Sequence, residues 1–143
     1  MQNLEEIAER IHQSLSERTT ARDRALTQSR ALTRRCAHAI RAAHRNERAE
    51  SLALLAEART LAQNFQTELK DHPDLYFAGY TQDALKEYAE ASIVYALLGQ
   101  ETLPTPEDLG LEPATYLQGL AEAAGEFRRG CLDLLRTGQA QEA

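Results

Sequence analysis

Residues 9–45 read ERIHQSLSERTTARDRALTQSRALTRRCAHAIRAAHR, and neither Gly nor Pro occurs anywhere from residue 1 to residue 72. Those two residues are the strongest interruptions of an α-helix, so their absence over such a span calls for one or two long helices. Ile7, Ile11 and Leu15 recur at four-residue steps, and Leu26, Leu32, Cys36, Ile40 and Ala43 carry a seam onward at steps of three, four and six. This spacing keeps apolar side chains on one helix face. The pattern predicts a first helix of about 40 residues, a break near Asn46, and a second helix from Ala49 to Leu69. Leu52, Leu55, Ala62, Phe65 and Leu69 form its expected inward side. A first helix of that length is unusual in a small chain and suggests packing against helices of another copy.

Working outward, Asp71, His72, Pro73 and Asp74 form a turn, and Gly79 is a second punctuation point. A third helix is expected from Thr81 to Leu98, with Thr81 as N-cap and Gly99 as its stop. Its second half, Ala91 to Leu98, carries no charge and is expected to be buried all round. Residues 100–112 make a loop containing Pro104, Pro106 and Gly110. Pro113 suits the first turn of a fourth helix running to Arg136, with Gly138 ending it. Leu117, Leu120, Ala124, Phe127, Cys131 and Leu134 are its expected buried side. The fold class is all-α: a single domain over residues 1–143, built as an antiparallel helical bundle with a long first helix and short connections.

Composition agrees. At 143 residues, 43% hydrophobic and 27% charged, the chain is an ordinary globular mixture. Seven Gly and four Pro are too few for the many tight turns of a sandwich or barrel. No apolar run approaches the roughly 18 residues of a membrane span, and residues 1–6 lack a basic-then-apolar leader, so a cytoplasmic location with no membrane partner is expected. Cys36 and Cys131 lie on apolar seams and are read as reduced core thiols. The net charge of −6 hides an asymmetry, because residues 1–48 hold ten Arg against six acids while the remainder balances at −10. A polyanion can bind the basic segment of an acidic protein, although a solvated helix face gives the same pattern.

The third helix puts Glu87 and Glu90 one turn apart, just before its apolar half. Residues three apart share a face, with Cβ atoms about 5–6 Å apart. Glu122 and Glu126 repeat the arrangement on the fourth helix among Leu120, Ala121, Ala123, Ala124 and Phe127. Carboxylates in an apolar setting need a compensating cation, and two helices each offering two of them form a metal-site pattern. No His sits three residues after a Glu in this set, as di-iron bundles require, and zinc-type ligands are lacking. An all-oxygen set suits Mg²⁺ or Mn²⁺, and with phosphate that chemistry is phosphodiester or pyrophosphate cleavage. A helical nuclease and a MazG-like nucleotide pyrophosphohydrolase both fit. The latter carries Glu-x-x-Glu followed by Glu-x-x-Asp, whereas the second pair here is Glu-x-x-x-Glu. Glu pairs on a solvated helix face remain the plain structural alternative.

DHPDLYFAGYTQDALKEYAEASIVYALL (residues 71–98), with EYAEA at 87–91, resembles the translin family, and within it the prokaryotic type of the translin-associated factor X branch, whose motif is EYVEA. YLQGLAEAAGEFRR (116–129) is similar to that branch's YLxGxADLxGExxR, and Ser29-Arg30 and His44-Arg45 match a looser SR…HR pattern upstream. The resemblance implies an all-helical protein assembling into a hollow, usually octameric, shell around single-stranded RNA or single-stranded DNA. It implies a Mg²⁺-dependent endoribonuclease in which Glu87 and Glu90 are metal-binding catalytic carboxylates. Glu122 stands where factor X has Asp, and Glu126 matches the acid of the Gly-Glu pair. Translin-type subunits, which bind nucleic acid without cutting it, lack acids at the positions of Glu87, Glu90 and Glu122. A non-catalytic binding scaffold is therefore the rival reading. Family members usually continue through further C-terminal helices. A single chain of this kind would self-assemble into a homo-oligomer. Phosphate contact is expected from Arg18, Arg22, Arg30, Arg34, Arg41 and Arg45 on the first helix. With no Trp and few aromatics nearby, weak sequence preference follows. His12, His38, His44 and His72 show no ligand spacing and are read as structural or solvent-facing.

Overall fold

The computed structural model describes residues 2–138, and every element in that range is a helix. Four helices are long: α1 (Gln2–His44), α2 (Arg48–Glu68), α4 (Gly79–Leu98) and α6 (Pro113–Arg136). Two are single turns: α3 (Pro73–Tyr76) and α5 (Pro106–Leu109). No helix among the described residues is long and apolar enough to cross a membrane.

The break after α1 is a left-handed turn at Asn46, whose φ is 60°. Asn tolerates that conformation better than most residues. Asn46 N–H donates to Ala43 O and Glu47 N–H to Ala42 O, closing the last carbonyls of α1 in a Schellman pattern. α4 ends in the same way, but the left-handed residue is Gln100 (φ 54°), one position after the expected stop Gly99. Thr81 is not the N-cap of α4. That place belongs to Ala78, and Thr81 is buried inside the first turn, where its hydroxyl donates to Leu75 O at 2.8 Å. Within the 100–112 loop, Thr105 and Asp108 form a reciprocal capping box around α5.

α2 folds back antiparallel on α1. Ser51 near its start donates to Ala39 O near the end of α1, while Glu68 at its end meets Gln28. α4 in turn runs antiparallel to α2, since Arg48 lies over the Tyr95 ring with its guanidinium carbon 4.0 Å from the centroid. α4 is the central helix, packed against α1, α2 and α6. The connection from α4 to α6 is long, and it returns the chain along α2, where Gln66 donates to Gly110 O. α6 therefore starts beside the start of α4, with Thr115 donating to Gln82.

The core is built from Leu32, Cys36, Phe65, Leu85, Ile93 and Val94 with many Ala between them. Small residues let the helices approach closely, and they change which faces turn inward. Leu52 is 55% exposed, and Ser51 occupies the buried position beside it. On α6 the fully buried residues are Thr115, Gly119 and Ala123, at steps of four. Leu117 and Ala124 point outward, while Leu120, Phe127, Cys131 and Leu134 are half-buried. Ala91 to Val94 are buried as expected, but Leu97 and Leu98 at the end of α4 are exposed. The first half of α1 extends beyond the packed body, leaving Leu4, Ile11 and Leu15 exposed.

Candidate metal centre

Gly119 sets the site. A Cβ at that position would fall 2.6 Å from Ala89 Cβ and 2.8 Å from the Lys86 carbonyl oxygen, so α6 rests almost directly on the α4 backbone. Glu122 lies three residues further along α6, which brings it over the α4 face carrying Glu87 and Glu90. Glu87, Glu90 and Glu122 each present a carboxylate oxygen within 4.8 Å of the others. Opposite ligands of an octahedral Mg²⁺ lie about 4.2 Å apart. Neighbouring ligands of that octahedron lie only about 3 Å apart, so the three oxygens must draw closer to share one ion, which side-chain rotation of exposed Glu122 and half-buried Glu87 allows, and the all-oxygen donor set matches such an ion's hardness.

The three carboxylates differ in environment. Glu90 is buried at 7% exposure, whereas Glu122 is exposed and Glu87 half-buried. Burial pushes the Glu90 carboxyl up to about 7, reinforced by the neighbouring charges of Glu87, Glu122 and Glu126 and partly opposed by Lys86. At neutral pH Glu90 thus shares its population between acid and carboxylate. The buried Cys36 thiol lies against the same cluster and is held far above the ordinary thiol range by burial and by Glu87 and Glu90. It is a packing group, not a thiolate nucleophile.

Glu126 stands outside the group of three. Its carboxylate lies 3.3 Å from His44 Nε2 and accepts from Arg129 Nη2 at 2.7 Å. His44, read from sequence as structural or solvent-facing, thus ties the end of α1 to α6. Lys86 is the residue that sequence reasoning missed. Its Nζ donates to Glu122 Oε1 at 2.7 Å and lies 3.5 Å from Glu87 Oε1. That hydrogen bond, with the Glu122 and Glu87 charges, raises the Lys86 pKa and keeps the ammonium charged. The available signal was a lone Lys beside the acidic pair, four residues before Glu90.

The six Arg residues divide. At about 100° per residue, Arg30, Arg34, Arg41 and Arg45 project within about 60° of one another. Arg18 and Arg22 turn to another side of α1. Arg18 is ion-paired with Asp74 and Arg45 with Glu47, while Arg22, Arg30, Arg34 and Arg41 have no ion pair among the described residues. A cavity of about 630 Å³ opens between the ends of α1 and α6, bordered by Arg41, His44, Arg45, Phe127, Arg129 and Leu134. Its lining mixes three arginines with apolar Leu98, Phe127 and Leu134, and it includes His44 and Arg129, the two partners of Glu126.

No protein-family model matches this chain, and no curated protein matches it. Solved structures do. The crystal structure of apo-NeC3PO is similar at 26% identity with a TM-score of 0.79, over 96% of this chain and 71% of that one. The crystal structure of AfC3PO, from Archaeoglobus, is similar at 28% identity with a TM-score of 0.81, over 94% of this chain and 70% of that one. C3PO is the complex of translin and translin-associated factor X, and both similarities support the translin family and its all-α helical bundle.

Proposed function

We propose, from the translin-like fold shared with C3PO, that this chain is a metal-dependent endoribonuclease of the factor X branch, prokaryotic in type, acting on single-stranded RNA within a cytoplasmic homo-oligomeric shell, octameric as in its family. The carrying observation is the meeting of Glu87, Glu90 and Glu122 from two helices within 4.8 Å, with Glu90 buried. Those three residues would hold Mg²⁺ or Mn²⁺, which when bound supplies a Lewis acid at the scissile phosphodiester. Glu126, oriented by His44 and Arg129, is the carboxylate left to direct the attacking water and take its proton. Arg30, Arg34, Arg41 and Arg45 hold the ribose-phosphate backbone without reading bases, which suits sequence-tolerant cutting of RNA and retention of single-stranded DNA.

Purified protein is incubated with labelled single-stranded RNA in EDTA, Mg²⁺ or Mn²⁺, beside Glu87→Ala and Glu90→Ala variants. Cleavage is expected only with the ions, and each variant is expected to lose at least about 100-fold in rate while retaining RNA. Undiminished cleavage by Glu90→Ala rejects the assignment. One observation favours the scaffold reading, that the Lys86 ammonium already neutralises part of the acidic cluster. Binding without ion-dependent cleavage across RNA and DNA substrates would select it. Pyrophosphate release from free nucleoside triphosphates would select the pyrophosphohydrolase instead.

A further inference from the structure

Lys86 is one of only two lysines in the chain, the other being Lys70. Its side chain is 16% exposed and its ammonium touches two of the three clustered carboxylates, Glu122 and Glu87. Among the described residues no other cation contacts that trio, since His44 and Arg129 are committed to Glu126. An ammonium is a compact point charge on a flexible four-carbon stem, so it can occupy a divalent ion's place and also leave it. The Lys86 backbone cannot follow, because its carbonyl lies against Gly119 where α6 rests on α4. The side chain alone must move, and the exposed Glu122 edge gives it a way out.

We propose that Lys86 is the resident counter-ion of the acidic cluster and competes with the divalent ion for Glu122 and Glu87, leaving toward solvent when the ion enters. This rests on the metal-site reading above. Without the ion, the ammonium holds α4 and α6 in register by screening like charges. With the ion bound, the same ammonium is repelled and freed. The affinity of the site is therefore set by the lysine as much as by the carboxylates, and weak ion binding is a built-in property.

The test uses Mn²⁺ and Mg²⁺ binding by titration calorimetry on wild type, Lys86→Met, Lys86→Arg and Glu122→Gln, with thermal unfolding of each protein with and without ion. Lys86→Met is expected to bind either ion about tenfold more tightly or better, as one charge-assisted contact no longer has to be broken. Its Tm falls without ion and is restored by ion, whereas a merely structural lysine would lower both values alike. Lys86→Arg keeps the competing charge and keeps the wild-type affinity or weaker. A second measurement needs no variant. Amine acylation followed by mass spectrometry compares Lys86 with exposed Lys70 in wild type, and saturating Mg²⁺ is expected to raise the Lys86:Lys70 labelling ratio several-fold. Unchanged or weaker ion binding by Lys86→Met, or an ion-independent labelling ratio in a protein that binds the ion, overturns the competition and leaves the metal site standing. Absence of ion binding in wild type and Lys86→Met, with no effect of Glu122→Gln, overturns both.

Discussion

Replacing Glu90 with Gln isolates the energetic cost of the buried carboxylate. In the folded chain this group titrates at about 7 instead of the ordinary 4.5. Between those values the folded state binds more protons than the unfolded state, so stability falls as pH rises through the window and stays low above it. Raising the carboxyl from 4.5 to about 7 corresponds to about 3 kcal/mol. Gln is nearly isosteric and does not titrate. The stability of Glu90→Gln relative to wild type is therefore expected to rise by up to about 3 kcal/mol between pH 4 and pH 8, or about 6–12 °C in Tm for a chain of this size. Groups with lowered pKa, including Asp74 beside Arg18 and Asp108 in its capping box, act in the opposite sense. Their stabilisation is present above the ordinary carboxylate range and is lost as pH falls below it. They are common to both proteins and cancel in the difference. The assay is thermal or urea unfolding of both proteins in EDTA at half-unit pH steps, then in saturating Mg²⁺, where the wild-type carboxylate gains a partner and the difference changes sign. Parallel stability profiles from pH 5 to pH 8 would refute both the burial argument and the charge coupling to Glu87 and Glu122.

Two further outcomes follow from the packing and from the charge map. Gly119→Ala places a methyl group against Ala89 and the Lys86 carbonyl, so α6 must lift from α4. A loss of about 1–3 kcal/mol is expected, with weakened ion binding because Glu122 moves away from Glu87 and Glu90. Unchanged stability and ion affinity would show that the close contact does not position the cluster. Arg30, Arg34 and Arg41 share one face of α1 and carry no ion pair among the described residues, so changing all three to Ala is expected to reduce the salt dependence of single-stranded RNA binding by a log–log slope of about 2. Arg18→Ala, on another side and tied to Asp74, should leave that slope unchanged. Equal effects of the two changes in filter binding across a salt series would remove the assignment of that face.

The boundaries at Asn46 and Pro113 and the spacing of Glu87 and Glu90 are local properties, and the sequence by itself determined them, whereas the N-cap of α4, expected at Thr81, is Ala78, and its left-handed stop, expected at Gly99, is Gln100. A span free of Gly and Pro with apolar residues at helical spacing favours helix, Asn46 and Pro113 mark boundaries through their own φ preferences, and the three-residue interval puts two carboxylates on one face whatever lies opposite. Tertiary structure alone decided how each helix is rotated about its axis. Ala, Ser, Thr and Gly surround α2, α4 and α6, so more than one stripe is small or apolar enough to face inward. Close approach selected Ser51 over Leu52, and Gly119 and Ala123 over Leu117 and Ala124. That same contact seats Lys86 among the carboxylates and gives Glu126 to His44 and Arg129, while the returning loop chooses which end of α4 meets the start of α6. The Lys86–Glu122 and His44–Glu126 pairs join residues tens of positions apart, unlike the local Lys86–Glu87 and Glu126–Arg129 contacts. Their energies depend on desolvation and charge proximity, which arise only when the helices meet.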